Sequence, residues 1–221
     1  MKTIYLVRHG ESETNVGDRY LGRSARLTAL GHRQARFLVQ RCAKLPVELI
    51  ISSGYPRADQ TADYIVRALG KPFEQSALFA ERRAPSALVG QSKSEPDSIA
   101  YEDAIWSKFG DPAWRHSDAE NFADLNARAA QALSYLAARP EQNMLVVGHG
   151  FFSKILAARV IFGEELTGAA CLSVMQALRL ENTSLSVLEY DPDHARGWTW
   201  RIAVWNDHAH LADAVLNPSA D

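Results

Sequence analysis

Ile4-Tyr5-Leu6-Val7-Arg8-His9-Gly10-Glu11 is the first legible element of the chain. Four apolar residues run in succession and stop at a guanidinium, an imidazole and a glycine. That pattern reads as a buried strand feeding a loop, and Gly10 permits a sharp turn there. The design recurs twice. Val47 to Ile51 reads as a second strand, ends at Ser52-Ser53-Gly54 and leads into Arg57. Met144 to Val147 is nearly all apolar, as expected in the middle of a parallel sheet, and stops at Gly148-His149-Gly150.

Helical periodicity fills the intervals. Thr28 is an N-cap candidate for a helix reaching about Lys44, with Ala35, Leu38, Cys42 and Leu45 on one face. Pro56 fits a first helical turn, and Ala58, Ala62, Ile65 and Leu69 give that helix its inward face before Gly70-Lys71-Pro72 ends it. A short strand around Phe73–Glu74 follows. Glu120 to Arg139 reads as a helix with Phe122, Leu125, Ala129, Leu133 and Leu136 inward, and another helix runs from about Phe152 to Phe162. Leu185–Tyr190 and Trp198–Trp205 alternate as two late strands, joined through Asp191-Pro192-Asp193 and able to pair antiparallel. This alternation predicts an α/β fold: a largely parallel central sheet with helices on both faces, a three-layer α/β/α sandwich. A length of 221 residues suits a single domain spanning 1–221. Residues 80–118, with Pro85, Pro96 and Pro112, are the least regular part and read as an insertion or lid.

In an open α/β sheet, ligands bind outside the carboxyl ends of the strands. Arg8 and His9, Arg57, and His149 can therefore share one rim. Two arginines and two histidines there make a pocket for a multiply charged anion. Phosphate is the natural candidate, because the arginine fork engages its oxygens two at a time.

Bulk properties narrow the choice. Apolar residues make up 47% of the chain, charged residues 23%, and the net charge is −2. A nucleic-acid binder would usually carry a basic excess. No stretch approaches the ~18 apolar residues of a membrane span, and the N-terminus does not resemble a signal peptide, so the expected location is the cytoplasm. Cys42 and Cys171 form no CxxC pair and read as buried, reduced thiols.

Several segments, in order, carry a family resemblance: Arg8-His9-Gly10-Glu11 with Asn15; Leu27-Thr28-Ala29-Leu30-Gly31 with Gln34-Ala35; Ser52-Ser53, Arg57-Ala58 and Gln60-Thr61-Ala62; Glu81-Arg82; and Val147-Gly148-His149-Gly150. Together they resemble the histidine phosphatase superfamily, also called phosphoglycerate mutase-like. The resemblance implies the same three-layer fold and a mechanism. His9 would attack phosphorus and form a phosphohistidine. Arg8, Arg57 and His149 would hold the equatorial oxygens, with Asn15 and Gly150 adding to the phosphate site. Glu81 would protonate the leaving alkoxide, with Glu11 and Glu95 as alternative acids. No metal or other cofactor is implied, since arginines and histidines supply the positive charge.

The implied partner is a small phosphate ester, with neither nucleic acid nor membrane; a homo-oligomer is compatible with the sequence. Glycolytic mutases of the family follow the acidic residue with Arg-His-Tyr-Gly, whereas here Glu81 is followed by Arg82-Arg83-Ala84-Pro85. Ala84 at the tyrosine position favours a phosphatase over a mutase. A phospho-ligand binder with little turnover is the third reading, and an intact His9 argues against it. Arg82, Arg83 and Lys93 hint at a second negative charge on the substrate; an apolar leaving group near Trp106, Phe109 or Trp114 is the alternative.

Overall fold

The computed structural model describes residues 1–211. Six strands form one sheet: β1 (Lys2–Arg8), β2 (Leu49–Ser52), β3 (Phe73–Gln75), β4 (Asn143–Gly148), β5 (Leu185–Tyr190) and β6 (Trp200–Asp207), in spatial order β3-β2-β4-β1-β5-β6. The pairs β3–β2, β2–β4 and β4–β1 are parallel; β1–β5 and β5–β6 are antiparallel. The sheet is thus largely parallel with an antiparallel edge.

Seven α-helices accompany it among the described residues: α1 (Glu13–Val16), α2 (Ala29–Cys42), α3 (Pro56–Leu69), α4 (Pro96–Lys108), α5 (Phe122–Ala138), α6 (Gly150–Phe162) and α7 (Gly168–Ala177). The period-2 side-chain alternation of β1 explains the layering. Tyr5 and Val7 join Ile50, Leu145 and Val147 in a core closed by α2 and α3. Ile4 and Leu6 join Leu49, Ile51, Met144 and Val146 in a second core closed by α4 to α7. Because both faces are covered, the central strands are apolar throughout. None of the helices among the described residues is long and apolar enough to cross a membrane.

Local signals account for the helix ends. The Thr28 side chain accepts from Gly31 N, Pro56 occupies the first turn of α3, and Gly70 ends it with φ of 62°. Asn121 caps α5 and forms a reciprocal box with Asp124. Cys42 and Cys171 are both free and buried, as expected.

The structure differs from the sequence expectation in several places, the short α1 being one of them. The 80–118 segment is not irregular throughout, since it contains the thirteen-residue α4. Its proline at position 96 starts a helix instead of breaking one. Its apolar stripe is narrow, with only Ser98, Tyr101 and Ile105 buried. Helix α7, starting at the Thr167 cap and burying Cys171 and Met175, lies in a stretch assigned no element. Strand β6 begins two residues later than expected, and its pairing with β5 shifts register between Leu185 and Leu188.

Candidate active site

The parallel register sets the site. Arg8 pairs with Gly148, so the residues that follow, His9 and His149, leave adjacent strands side by side. His9 N donates to Gly148 O at 3.0 Å, and Ser53 N donates to Val147 O at 3.2 Å. The carboxyl ends of β1, β4 and β2 thereby present His9, His149 and Ser53 together. The two imidazole rings meet edge to face, with centres 5.1 Å apart.

His9 is almost fully buried and held at both ring nitrogens. Nδ1 lies 2.6 Å from the carbonyl oxygen of Gly10. A carbonyl only accepts, so Nδ1 carries the proton and Nε2 keeps its lone pair. Arg57 Nε donates to that Nε2 at 3.1 Å. The His9 pKa is pushed well below 6.5, first by burial and then by the charges of Arg57 and Arg8. The imidazole is therefore a neutral base at physiological pH.

The loop after His9 is built by close backbone packing. A Cβ at Gly10 would stand 2.6 Å from Gly31 O, and one at Gly31 only 2.0 Å from Glu11 O. Gly10 N donates to Thr61 Oγ1, Glu11 N to Gln34 Oε1 and Leu27 N to Gln60 Oε1. The glutamine and threonine positions of the motifs thus serve as acceptors that fix the backbone around His9.

Arg8 extends from β1 and donates through Nη1 to Leu180 O at 2.5 Å. Its Nε is buried without a partner among the described residues. A Cβ at position 150 would stand 3.2 Å from that Nε, so Gly150 leaves room for the guanidinium. Arg57 is buried on the first turn of α3, where a second donor reaches Gly22 O at 3.2 Å. Burial lowers the pKa of both arginines from its ordinary value.

His149 is fully buried, and its Nε2 shares a 2.7 Å hydrogen bond with Ser53 Oγ. Its Nδ1 has no partner among the described residues. Burial, followed by His9 and Arg57, pushes its pKa well below 6.5. Two buried polar atoms, Arg8 Nε and His149 Nδ1, are thus left unpaired beside His9. Such orphans are rare in folded proteins and fit a ligand with several acceptor oxygens.

Glu81 lies at the N-terminus of α6. Its carboxylate accepts from Phe152 N at 3.0 Å, Phe151 N at 3.2 Å and its own neighbour Arg82 N at 2.9 Å. Asn15 is exposed; its Oδ1 accepts from Ser12 N and from Ser12 Oγ, each at 2.9 Å.

Arg8, His9, Asn15, Arg57 and Glu81 line one cleft of about 580 Å³. His149 and Gly150 are not among the residues that line it; His149 adjoins it through its contact with the His9 ring. Glu81 is the cleft's one carboxylate among the described residues. The alternative acids lie elsewhere: Glu11 accepts from Thr28 Oγ1 at 2.6 Å, and Glu95 precedes α4. Arg82, Arg83 and Ala84 are in the cleft wall. Lys93 is not; its ammonium donates to Thr14 O and Gly17 O, tying the 80–118 segment to the end of α1. The aromatic residues suggested for a leaving-group pocket are also elsewhere. Phe109 is in the core, Trp114 packs against that core, and Trp106 is exposed outside the cleft.

Three residues of the site carry no role in the sequence reading. Ser53 holds His149, the Tyr55 ring packs 5.0 Å from His149, and Arg23 lines the cleft. Ser53 had a signal, because it directly follows a buried strand on the same rim.

The family model for the histidine phosphatase superfamily (branch 1) matches residues 4–208. A probable phosphoglycerate mutase GpmB of Proteus mirabilis is 32% identical, over 98% of this chain and 98% of its own. Among solved structures, Bacillus stearothermophilus YhfR is similar with a TM-score of 0.81 at 27% identity, covering 96% of this chain and 100% of its own. A mycobacterial glucosyl-3-phosphoglycerate phosphatase complexed with VO3 gives a TM-score of 0.75 at 25% identity, covering 94% and 100%.

Proposed function

The chain belongs to the histidine phosphatase superfamily, and from that premise we propose that it is a phosphatase that hydrolyses small phosphate monoesters through a phosphohistidine on His9. The observation that carries this reading is the double tether of His9: Nδ1–H on the Gly10 carbonyl, and Nε2 turned toward Arg57 in an arginine-lined cleft.

Nε2 attacks phosphorus in line with the leaving oxygen. The N–P bond forms as the P–O bond breaks, and the positive charge that develops on the ring is stabilised by donation to the Gly10 carbonyl. Arg57 passes its hydrogen bond from Nε2 to a phosphate oxygen. Arg8 Nε binds a second oxygen. With Ser53 donating to Nε2, His149 keeps its proton on Nδ1 and offers it to a third. Donors placed in advance around the transferring group supply most of the stabilisation in phosphoryl transfer. Glu81 gives its proton to the leaving alkoxide, then takes one from the water that cleaves the phosphohistidine. Inorganic phosphate leaves and His9 is regenerated. The guanidiniums provide the charge that this scheme needs, so no metal enters it.

Hydrolysis is preferred to mutase transfer because Ala84, with only a methyl group, stands in the cleft wall where the family's mutases place a tyrosine. A mutase is the second reading, favoured by the naming of the 32%-identical relative as a probable phosphoglycerate mutase.

A panel of phosphate monoesters assayed with EDTA present, from pH 5 to 8, tests the phosphatase. Release of phosphate from at least one metabolite ester is expected, and no turnover of any ester would reject it. Denaturation without acid during turnover should trap label on His9; label elsewhere would reject the nucleophile. Efficient conversion of 3-phosphoglycerate to its 2-isomer with bisphosphoglycerate present would establish the mutase instead.

A further inference from the structure

The cleft holds more positive charge than one phosphate needs. Five guanidiniums, those of Arg8, Arg23, Arg57, Arg82 and Arg83, line it beside the single carboxylate of Glu81. Arg8 and Arg57 flank His9. Arg82 stacks over Phe151 at 4.4 Å and hydrogen-bonds the Tyr101 hydroxyl. Arg83 donates to Asp118 O at 3.1 Å. Arg23 differs from all of these: among the described residues its guanidinium makes neither a hydrogen bond nor an ion pair.

Arg23 is nevertheless placed. Its guanidinium carbon lies 5.2 Å from the centre of the Tyr55 ring, and that of Arg57 lies 5.1 Å from the same centre. The two charges therefore stand within about twice that distance of each other. Tyr55 is buried and packed against His149, so its ring is a fixed platform. The turn that carries Arg23 is fixed too. Arg57 donates to Gly22 O, Ser24 N and Ser24 Oγ both donate to Leu21 O, and Gly22 takes the left-handed φ of 55°. An exposed cation carried on a hydrogen-bonded turn and set against an aromatic face, with its N–H groups free among the described residues, is prepared for an external acceptor.

We propose that Arg23 is a specificity-determining residue that binds a second anionic group, a carboxylate or a second phosphate, on the alcohol portion of the substrate. This rests on the phosphatase reading and narrows it. The preferred substrate is a compact phosphate monoester with another negative charge, its phosphate at His9 and its second anion at the Arg23 turn.

The test compares 3-phosphoglycerate with glycerol 3-phosphate, which differ only in carboxylate against hydroxymethyl. 1,3-Propanediol bisphosphate compared with its monophosphate separates a phosphate from a carboxylate as the second anion. In the wild type, kcat/KM should favour at least one doubly anionic ester. In Arg23→Gln that preference should fall about tenfold, the size expected for losing a charged hydrogen-bonding partner. Arg23→Lys should recover part of it, keeping the charge without the fork. A preference equal in wild type and Arg23→Gln would overturn the role of Arg23 and leave the phosphatase reading intact. The same pairs, titrated calorimetrically against His9→Ala and the His9→Ala/Arg23→Gln double variant, read the preference without turnover. A preference lost with Arg23 in binding, in a wild-type protein that hydrolyses nothing, would sink the phosphatase and keep the second-anion site. No difference between the ligands in binding or in turnover would sink the site.

Discussion

The Nε of Arg57 donates to Nε2 of His9 across 3.1 Å, so the lone pair of the proposed nucleophile is held by the guanidinium proposed to bind phosphate. The contact serves two ends. It orients the imidazole, and its positive charge helps to keep the ring neutral. In the proposed mechanism a phosphate oxygen arriving at Arg57 would replace Nε2 as acceptor and expose the lone pair at the moment it is needed.

Arg57→Gln is therefore expected to lower kcat/KM by ~10²–10³-fold, the range for removing a preplaced donor to transition-state charge. Arg57→Lys should rescue little of this. The guanidinium serves both His9 Nε2 and Gly22 O from one planar group, and a flexible ammonium lacks that fork. Steady-state kinetics on a single ester decide it, and a lysine variant near wild-type activity would refute the two-point role.

Glu81→Gln should separate acid catalysis from scaffolding. A glutamine still has a carbonyl to accept from Phe151 N or Phe152 N but cannot release a proton. With an alkyl phosphate, whose alkoxide leaves poorly, kcat should fall ~10²–10⁴-fold. With 4-nitrophenyl phosphate, whose phenolate needs little protonation, the loss should be much smaller. Equal losses on both esters would mean that Glu81 only caps α6.

The sequence alone delivers the elements whose apolar faces are wide and the site residues that leave strand ends. Arg8, His9 and His149 follow directly from β1 and β4, and Arg57 follows β2 by one short loop. Features set by long-range packing were not legible. Lys93 looks like a substrate cation until its ammonium is seen on carbonyls 76 and 79 residues away. Helix α4 buries too narrow a stripe to announce itself, and the register shifts of the β5–β6 pairing between Leu185 and Leu188 have no local pattern to signal them. The partnership of Ser53 with His149 spans 96 residues and needs the β2–β4 pairing to exist.

Removal of the Ser53 hydroxyl leaves His149 with both ring nitrogens unpaired in a fully buried position. Ser53→Ala should cost about 1–3 kcal/mol of stability, read from urea unfolding, and should lower kcat because the ring loses its orientation. Stability and kcat both at wild-type values would show that the bond does no positioning.

Gly31 offers a steric test of the loop that follows His9. A Cβ there would strike Glu11 O at 2.0 Å, backbone against backbone, where neither side can yield cheaply. Gly31→Ala is expected to destabilise by ~1–3 kcal/mol or more and to reduce activity by displacing the loop after His9. Gly70→Ala is the control: its left-handed φ costs ~1–2 kcal/mol, yet its Cβ meets nothing within 4 Å. That variant should lose stability with activity preserved. Activity loss of equal size in both would reject the specific effect at Gly31.

The buried histidines make stability depend on pH in a defined direction. Burial first, then neighbouring positive charge, holds His9 and His149 well below 6.5 in the folded protein. In the unfolded chain both titrate near ~6.5. Below that pH the unfolded chain takes up protons that the folded protein refuses, so stability present above it is lost as pH falls toward the folded values. Each histidine contributes a slope of up to ~1.4 kcal/mol per pH unit. His210, also lowered by burial, adds in the same direction. Carboxylates lowered by folding, such as Asp118 and Asp207, lose their contributions only at more acidic pH, since their unfolded values lie near ~4. The window from pH 6.5 to 5 therefore reports the histidines. Urea unfolding at half-unit steps should show stability declining across it in the wild type, with a shallower decline in His9→Gln, which has nothing to protonate at that position. An identical slope in the two proteins would mean that His9 is not held neutral by the fold, and the nucleophile's readiness at physiological pH would need another cause.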